Sequence, residues 1–367
     1  MKNTHSNRLE RWLGTEQVEK LSQKMKGWYG PPVPIANIPG RVYACGDGDF
    51  CGSIKGGYYS SLFDYTKNKL NNALKKVTRE TLNTGFASLG NLINQYKNGK
   101  SQEFLINKNG NTSGGICSAS LWTVGTTPVA GGTSAAPSGS SPDNTTTGGL
   151  LQNNAGNDEE LYFIYSNVMV DISPTCLLMY DRYFQVNVAT TITGDQTISG
   201  VPTRYQGLDE NLKPAANGTF LTIHVTTALP SNTRNLTVRY IDQSGNAEED
   251  SPTQVTVAST PISRFPFANS VGCGWYFPLN SRDSGIRSIT NFNLNTSQAS
   301  GALDLILGKP YVLIPCPISN VPFVLDGINS CFNLVKIERN ACLAFLEIFR
   351  ANNNTHNFNG ILKFCSG

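Results

Sequence analysis

The groups able to do chemistry in this chain are few. There are three histidines, His5, His224 and His356. A catalytic triad needs one of them beside a nucleophile and an orienting acid. His5 lies in a terminal arm and His356 in an Asn-rich loop. His224 alternates with Leu221, Ile223 and Val225, which makes it a strand residue on the more polar face. No G-x-S-x-G elbow, H-E-x-x-H pair or dinucleotide fingerprint occurs. Paired carboxylates can cleave glycosides, but Asp181, Asp242, Asp283 and Glu347 fall on separate strands and turns, and no pairing is legible. Asp181-Arg182 and Arg282-Asp283 read as buried or interfacial charge pairs rather than as acid–base machinery.

Asp47-Gly48-Asp49 opens like a calcium loop, whose carboxylates stand two apart. The pattern fails at its fifth position, Cys51, and at its twelfth, Tyr58. A tight glycine turn is the simpler reading. The nine cysteines are Cys45, Cys51, Cys117, Cys176, Cys273, Cys316, Cys331, Cys342 and Cys365. Their number is odd and no C-x-x-C pair is present, so a complete disulfide framework is excluded. Reduced thiols are expected, several of them acting as small buried hydrophobes in runs such as TCLLM and ACLAF. No metal, cofactor or catalytic residue is expected.

Composition narrows the class further. Charged residues make up 15% of the 367, and the net charge is +3. That charge is small and scattered, so a specific nucleic-acid partner is not expected. The N-terminal MKNTHSNRLERWL lacks the apolar core of a secretory signal, and no apolar run has the ~18 residues of a membrane span.

The elements that must position these residues follow from periodicity. In residues 1–42, Val18, Leu21, Met25 and Trp28 recur at helical spacing after a Thr15 cap. Pro31, Pro32, Pro34 and Pro39 then impose an extended arm. Residues 43–124 combine a Gly-rich turn region with one long helix over 61–97, carried by Leu70, Leu74, Val77, Leu82, Phe86, Leu89 and Ile93. Residues 125–157 form a Gly/Ser/Thr/Pro linker, too poor in apolar surface to order by itself. From 158 to 367 the pattern is β throughout, with strands at 161–170, 177–188, 220–227, 236–241, 253–257, 286–294, 303–307, 311–314, 341–349 and 360–364. The expected fold is mainly β: an antiparallel β-sandwich or jelly-roll-like domain, an N-terminal helical and extended arm, and one long helix.

Several stretches carry a family resemblance: GWYGPPVPIANIPGRVYACGDGDFCG, LLMYDRYFQV, GVPTRYQG, VRYIDQSGN, FPLNSRDSGIRSI and ACLAFLEIF. Together they resemble structural proteins encoded in tailed-bacteriophage genomes, over residues 28–60 and 175–350. The resemblance implies a non-enzymatic virion component of the capsid decoration, cement or vertex type, made in the host cytoplasm. Its partners would be the capsid lattice, other virion proteins and copies of itself. A major capsid protein, or a receptor- or glycan-binding β-domain of a tail or fibre, is the alternative. The expected assembly contacts are Trp12, Leu21, Met25, Trp28 and Tyr29, because aromatics dominate interface hot spots. Trp122 is expected in the core of the chain itself.

Overall fold

The computed structural model describes residues 43–44, 50–51, 86, 88–109, 118–134, 137–157, 159–172, 174–246, 248–267, 275–328, 334–348 and 356–367. In the first of two units, Met1–Leu74, β1 (Tyr43–Ala44) pairs antiparallel with β2 (Phe50–Cys51). The second unit, Lys75–Gly367, holds the remaining elements. It opens with helix α1 (Leu89–Lys97), β3 (Ser101–Asn109), β4 (Ala119–Ser120), β5 (Leu161–Val170), β6 (Thr175–Ala189) and β7 (Gly194–Thr197). Then come β8 (Phe220–Thr227), β9 (Asn235–Asp242), β10 (Glu249–Asp250), β11 (Gln254–Val255) and β12 (Ile286–Leu294). The last are β13 (Ala302–Cys316), β14 (Phe323–Asp326), β15 (Val335–Ile337), β16 (Leu343–Ile348) and β17 (Asn357–Ser366).

These strands build three antiparallel sheets. The central sheet runs β4-β16-β6-β13-β8, the second β10-β9-β12-β7, and the third β14-β5-β17-β3. Strands β11 and β15 add to β9 and β5. The central pair, β6 and β13, is 15 residues long on each side and stays paired from Ala302–Ala189 to Cys316–Thr175. One end of this pair supplies Phe184, Val186, Val188, Leu303, Leu305 and Leu307 to a core shared with Leu236, Val238, Ile289 and Phe292 of the second sheet. The other end supplies Leu177, Met179, Val312 and Ile314 to a core shared with Phe163, Val168, Leu362 and Phe364 of the third. The expected mainly-β sandwich is therefore present twice, around one shared sheet.

Side chains on a strand alternate between faces, so each end of β6 and β13 should keep its own phase. One extra residue in each strand adjusts that phase at the midpoint. Leu307 faces Phe184 while Gly308 faces Arg182, which leaves Tyr183 as an insertion in β6. Pro310 faces Tyr180 while Val312 faces Met179, which leaves Tyr311 as an insertion in β13. A bulge of this kind re-aims side chains and increases twist. Both cores can then lie on one face of the central sheet, side by side.

The helical expectation over 61–97 changes at its C-terminal end. Ser88 stops continuation because it is an N-cap with φ −162°, its Oγ accepting from the Asn91 N–H at 3.1 Å. The described helix is therefore the short α1, whose Leu92 packs with Ile164 and Cys365. Residues 61–85 lie outside the described residues, as do Trp12, Leu21, Met25, Trp28 and Tyr29.

The described part of 125–157 is ordered by its own chain. Ser140 and Gln185 exchange both backbone hydrogen bonds at 2.9 Å, and the Leu150 N–H donates to Leu343 O at 2.8 Å. Since β16 pairs β6 only as far as Asp181, the segment continues that edge where β16 has ended. Small residues are required for the approach: a Cβ on Gly139 would fall 2.1 Å from the Phe184 ring. The entropy argument for an unordered linker fails because sheet-edge hydrogen bonds replace the missing apolar area.

Buried Lys108 fastens the same segment to β3. Its Nζ donates to Val124 O at 2.9 Å and Pro128 O at 2.5 Å. Burial lowers the amine from 10.5 to about 8, with Arg182 adding to the effect. A lowered lysine binds its proton less well folded than unfolded, so stability should rise as pH increases from about 8 to 10.5. Denaturant titrations across that range should show the rise in the wild type and its absence in Lys108→Met.

Candidate functional site

The seam between the two cores holds a polar network. Asp181, fully buried on β6, accepts from Arg204 Nε at 2.8 Å and from Arg204 Nη2 at 2.9 Å. It also accepts from the Tyr205 hydroxyl at 2.9 Å and from the Cys342 N–H at 2.8 Å. Burial drives its carboxyl upward, and Arg204 pulls it back toward the charged form. Arg204 Nη2 further donates to Pro142 O at 2.6 Å. The Tyr205 hydroxyl lies 2.9 Å from that of Tyr311, which accepts from the Glu338 N–H at 2.9 Å. The ring of Tyr183 meets Tyr205 edge-on at 4.9 Å. Both inserted tyrosines thus flank the ion pair that their bulges expose to the seam.

Tyr205 sits at φ 61°, in the left-handed region that an aromatic residue rarely adopts. That conformation is what lets consecutive residues Arg204 and Tyr205 reach the same carboxylate. Above them an open groove of about 630 Å³ is lined by Gly207, Asp209, Glu210, Lys309, Lys336 and Glu338, among others. Its amines are committed: Lys336 Nζ lies 2.5 Å from Glu160 and 3.3 Å from Glu210. Lys309 Nζ donates to the carbonyls of Asn217 and Ala215. Among the described residues, the groove presents no nucleophile held by a base.

A second network joins the turn after β9 to the loop before β12. The carboxylates of Asp242, Glu249 and Asp283 converge within 4.8 Å of one another. Asp242 accepts from the N–H groups of Ser244 at 2.9 Å and Asn246 at 3.0 Å. Burial raises its carboxyl, but these turn donors outweigh burial and the net shift is downward. Asp283 accepts from the Tyr240 hydroxyl, and Glu249 from Asn280 Nδ2 at 2.8 Å. The Asn280 bond lowers Glu249, yet burial and the two neighbouring carboxylates leave it raised.

The sequence-level charge pairs are thus corrected. Neighbours on a strand point to opposite faces, so Asp181 pairs with Arg204 while Arg182 turns to the other side. There Arg182 stacks on Trp122, 4.0 Å from the ring centroid, and donates to Thr147 O at 2.9 Å. Asp283 bonds Tyr240 rather than Arg282. Trp122 is fully buried, as expected. Glu347 is buried on β16 and pairs with His356, while Thr175 Oγ1 donates to it at 3.2 Å. His224 is buried on β8. Cys176, Cys316, Cys342 and Cys365 are free thiols; the side chains of the other five cysteines lie outside the described residues. Sequence reasoning missed Arg204–Asp181 and the Asp242–Glu249–Asp283 convergence. The signal available was the pairing of motifs: LLMYDRYFQV meets GVPTRYQG, and VRYIDQSGN meets FPLNSRDSGIRSI.

The fold and these networks define a class: an antiparallel β-protein of two sandwiches about a shared sheet. No protein-family model and no curated protein matches the chain. Among solved structures, the crystal structure of the infectious bursal disease virus VP2 subviral particle aligns at 11% identity. The alignment covers 72% of this chain and 79% of that one with a TM-score of 0.14. A score that low carries no argument about fold or function. No helix among the described residues is long and apolar enough to cross a membrane.

Proposed function

We propose that the protein is a non-enzymatic structural component of a tailed-bacteriophage virion, of the capsid decoration, cement or vertex type. One observation carries the reading beyond the sequence resemblance. The motifs that resemble phage structural proteins are the ones that lock this fold to itself. Asp181 of one motif binds Arg204 and Tyr205 of another, and Gln243 Oε1 of a third accepts from the N–H groups of Ser284 and Gly285 of a fourth at 3.1 and 3.2 Å. The side chains of these motifs are committed to bonds within the fold. A rigid body suits assembly, and the arm expected from the sequence over residues 1–42 would bury area against neighbours at roughly 25 cal/mol per Å².

Every strand of the three sheets begins at Ser101 or later. Deleting residues 1–40 should therefore leave the body folded by circular dichroism. The same deletion should reduce the protein's recovery in purified particles, or the particles' resistance to heat. Full recovery and unchanged heat resistance would remove the arm from the assembly reading. Stoichiometric sugar release from a host envelope by the purified protein would instead replace that reading with a depolymerase.

A further inference from the structure

The groove above Arg204 and Tyr205 carries groups that the seam does not use. Its volume of about 630 Å³ falls within the roughly 300–1,000 Å³ of small-ligand clefts. One wall is a small hairpin over residues 207–215. Leu208 bridges Pro214 antiparallel, the Asp209 N–H donates to Lys213 O at 2.7 Å, and the Ala215 N–H donates to Gly207 O at 2.9 Å. Inside the turn, Asp209 Oδ1 accepts from the N–H groups of Asn211 at 2.8 Å and Lys213 at 2.9 Å. Lys336 of β15 ties the tip through Glu210, and Lys309 of β13 ties the base through the carbonyls of Ala215 and Asn217. The wall is therefore shaped before any ligand arrives, which limits the ordering that binding requires.

What the groove leaves free decides what it can take. The three cations that line it are engaged: Arg204 with Asp181, Lys336 with Glu160 and Glu210, and Lys309 with two backbone carbonyls. An anionic ligand therefore meets no unpaired cation on the groove. Among the described residues, the side chains of Thr203, Asn211 and Glu338 line the groove and make no hydrogen bond or ion pair. They come from three separate places: the turn before Arg204, the tip of the hairpin, and the residue that follows β15.

A hydroxyl, a carboxamide and a carboxylate offer donors and acceptors together, and the two carboxylate oxygens can accept from two neighbouring hydroxyls at once. On the same groove Leu208 is 63% exposed, an apolar surface beside the polar set. The ligand that matches is uncharged, dense in hydroxyls, and faced with C–H groups on one side. That combination is a sugar ring. We propose that this groove binds a neutral oligosaccharide, with Glu338 and Asn211 hydrogen-bonding its hydroxyls and Leu208 packing against a ring face. The inference goes beyond the assembly reading and does not depend on it.

The test screens the full chain against an array of neutral and uronic-acid-bearing oligosaccharides, then titrates each glycan that binds by calorimetry. At least one neutral glycan should bind. Glu338→Gln and Asn211→Ala should each weaken it roughly ten-fold, the loss expected for a hydrogen bond to a charged or well-placed polar group. Leu208→Asp should weaken it as well, through the ring face. All three side chains are exposed, and the two polar ones have no partner to lose. Their urea midpoints should therefore match wild type, which separates lost recognition from lost fold. Binding of no neutral glycan overturns the proposal, as does equal binding by all three variants or a preference for the uronic-acid glycans. A calorimetric response to calcium chloride alone that Glu338→Gln abolishes would also overturn it, by making the groove an ion site.

Discussion

Arg204→Met is expected to destabilise the protein by about 3–5 kcal/mol, the range for breaking one partner out of a buried ion pair. The loss comes less from the missing attraction than from what stays behind. Asp181 has no exposed surface and would keep only the Tyr205 hydroxyl and the Cys342 N–H as donors. Pro142 O also loses its donor. Asp181→Leu in the same chain removes the stranded charge, so the double variant should recover much of the stability. Urea denaturation of the two single variants and the double variant completes the cycle. Purely additive losses would show that Arg204 and Asp181 do not act as a pair.

Trp122→Ala should cost about 3–5 kcal/mol, typical of removing a large buried aromatic. Trp122 packs with Leu178, Tyr180, Ala344 and Leu346 on the face opposite the seam, beneath the Arg182 guanidinium. Its carbonyl accepts from the Gly131 N–H at 2.8 Å, so the truncated side chain also loosens the start of the 125–157 segment. Limited proteolysis should cut within that segment faster in the variant than in wild type. Equal cutting rates would mean the segment is held by its sheet-edge hydrogen bonds alone.

How much of this was legible depends on whether the signal was local. Strands β5, β8 and β12 were readable to the residue, since each is bounded by turn chemistry. Strand β3 was not, because SQEFLINKN places Lys108 on the buried side and so breaks the apolar alternation. The two runs at 303–307 and 311–314 are one strand, β13. Gly308-Lys309-Pro310 looks like a break, and a proline argues against a central strand. Yet β8 pairs with β13 only as far as Gly308, so Pro310 and Pro315 occupy a stretch bonded to β6 alone. Their missing N–H groups therefore cost no bond to β8. The seam was illegible for a different reason: Arg204 lies 23 residues from Asp181, and a left-handed Tyr205 closes the distance. No periodicity announces such a pairing. Asp242, Glu249 and Asp283 likewise meet only because β9 and β12 are neighbours.

Two sandwiches that share β6 and β13 have no boundary at which the chain can be divided. A cut at the bulges would sever both strands in mid-ladder and leave each half with an unclosed core. Neither half can therefore be cut out with its core closed. They should melt in a single transition, with no stage at which one stands while the other is lost. Their register is also set late: Asn187 meets Asp304, 117 positions further along the chain, so the chain must be almost complete before its central ladder closes. The loops are then where length can change without moving a shared strand.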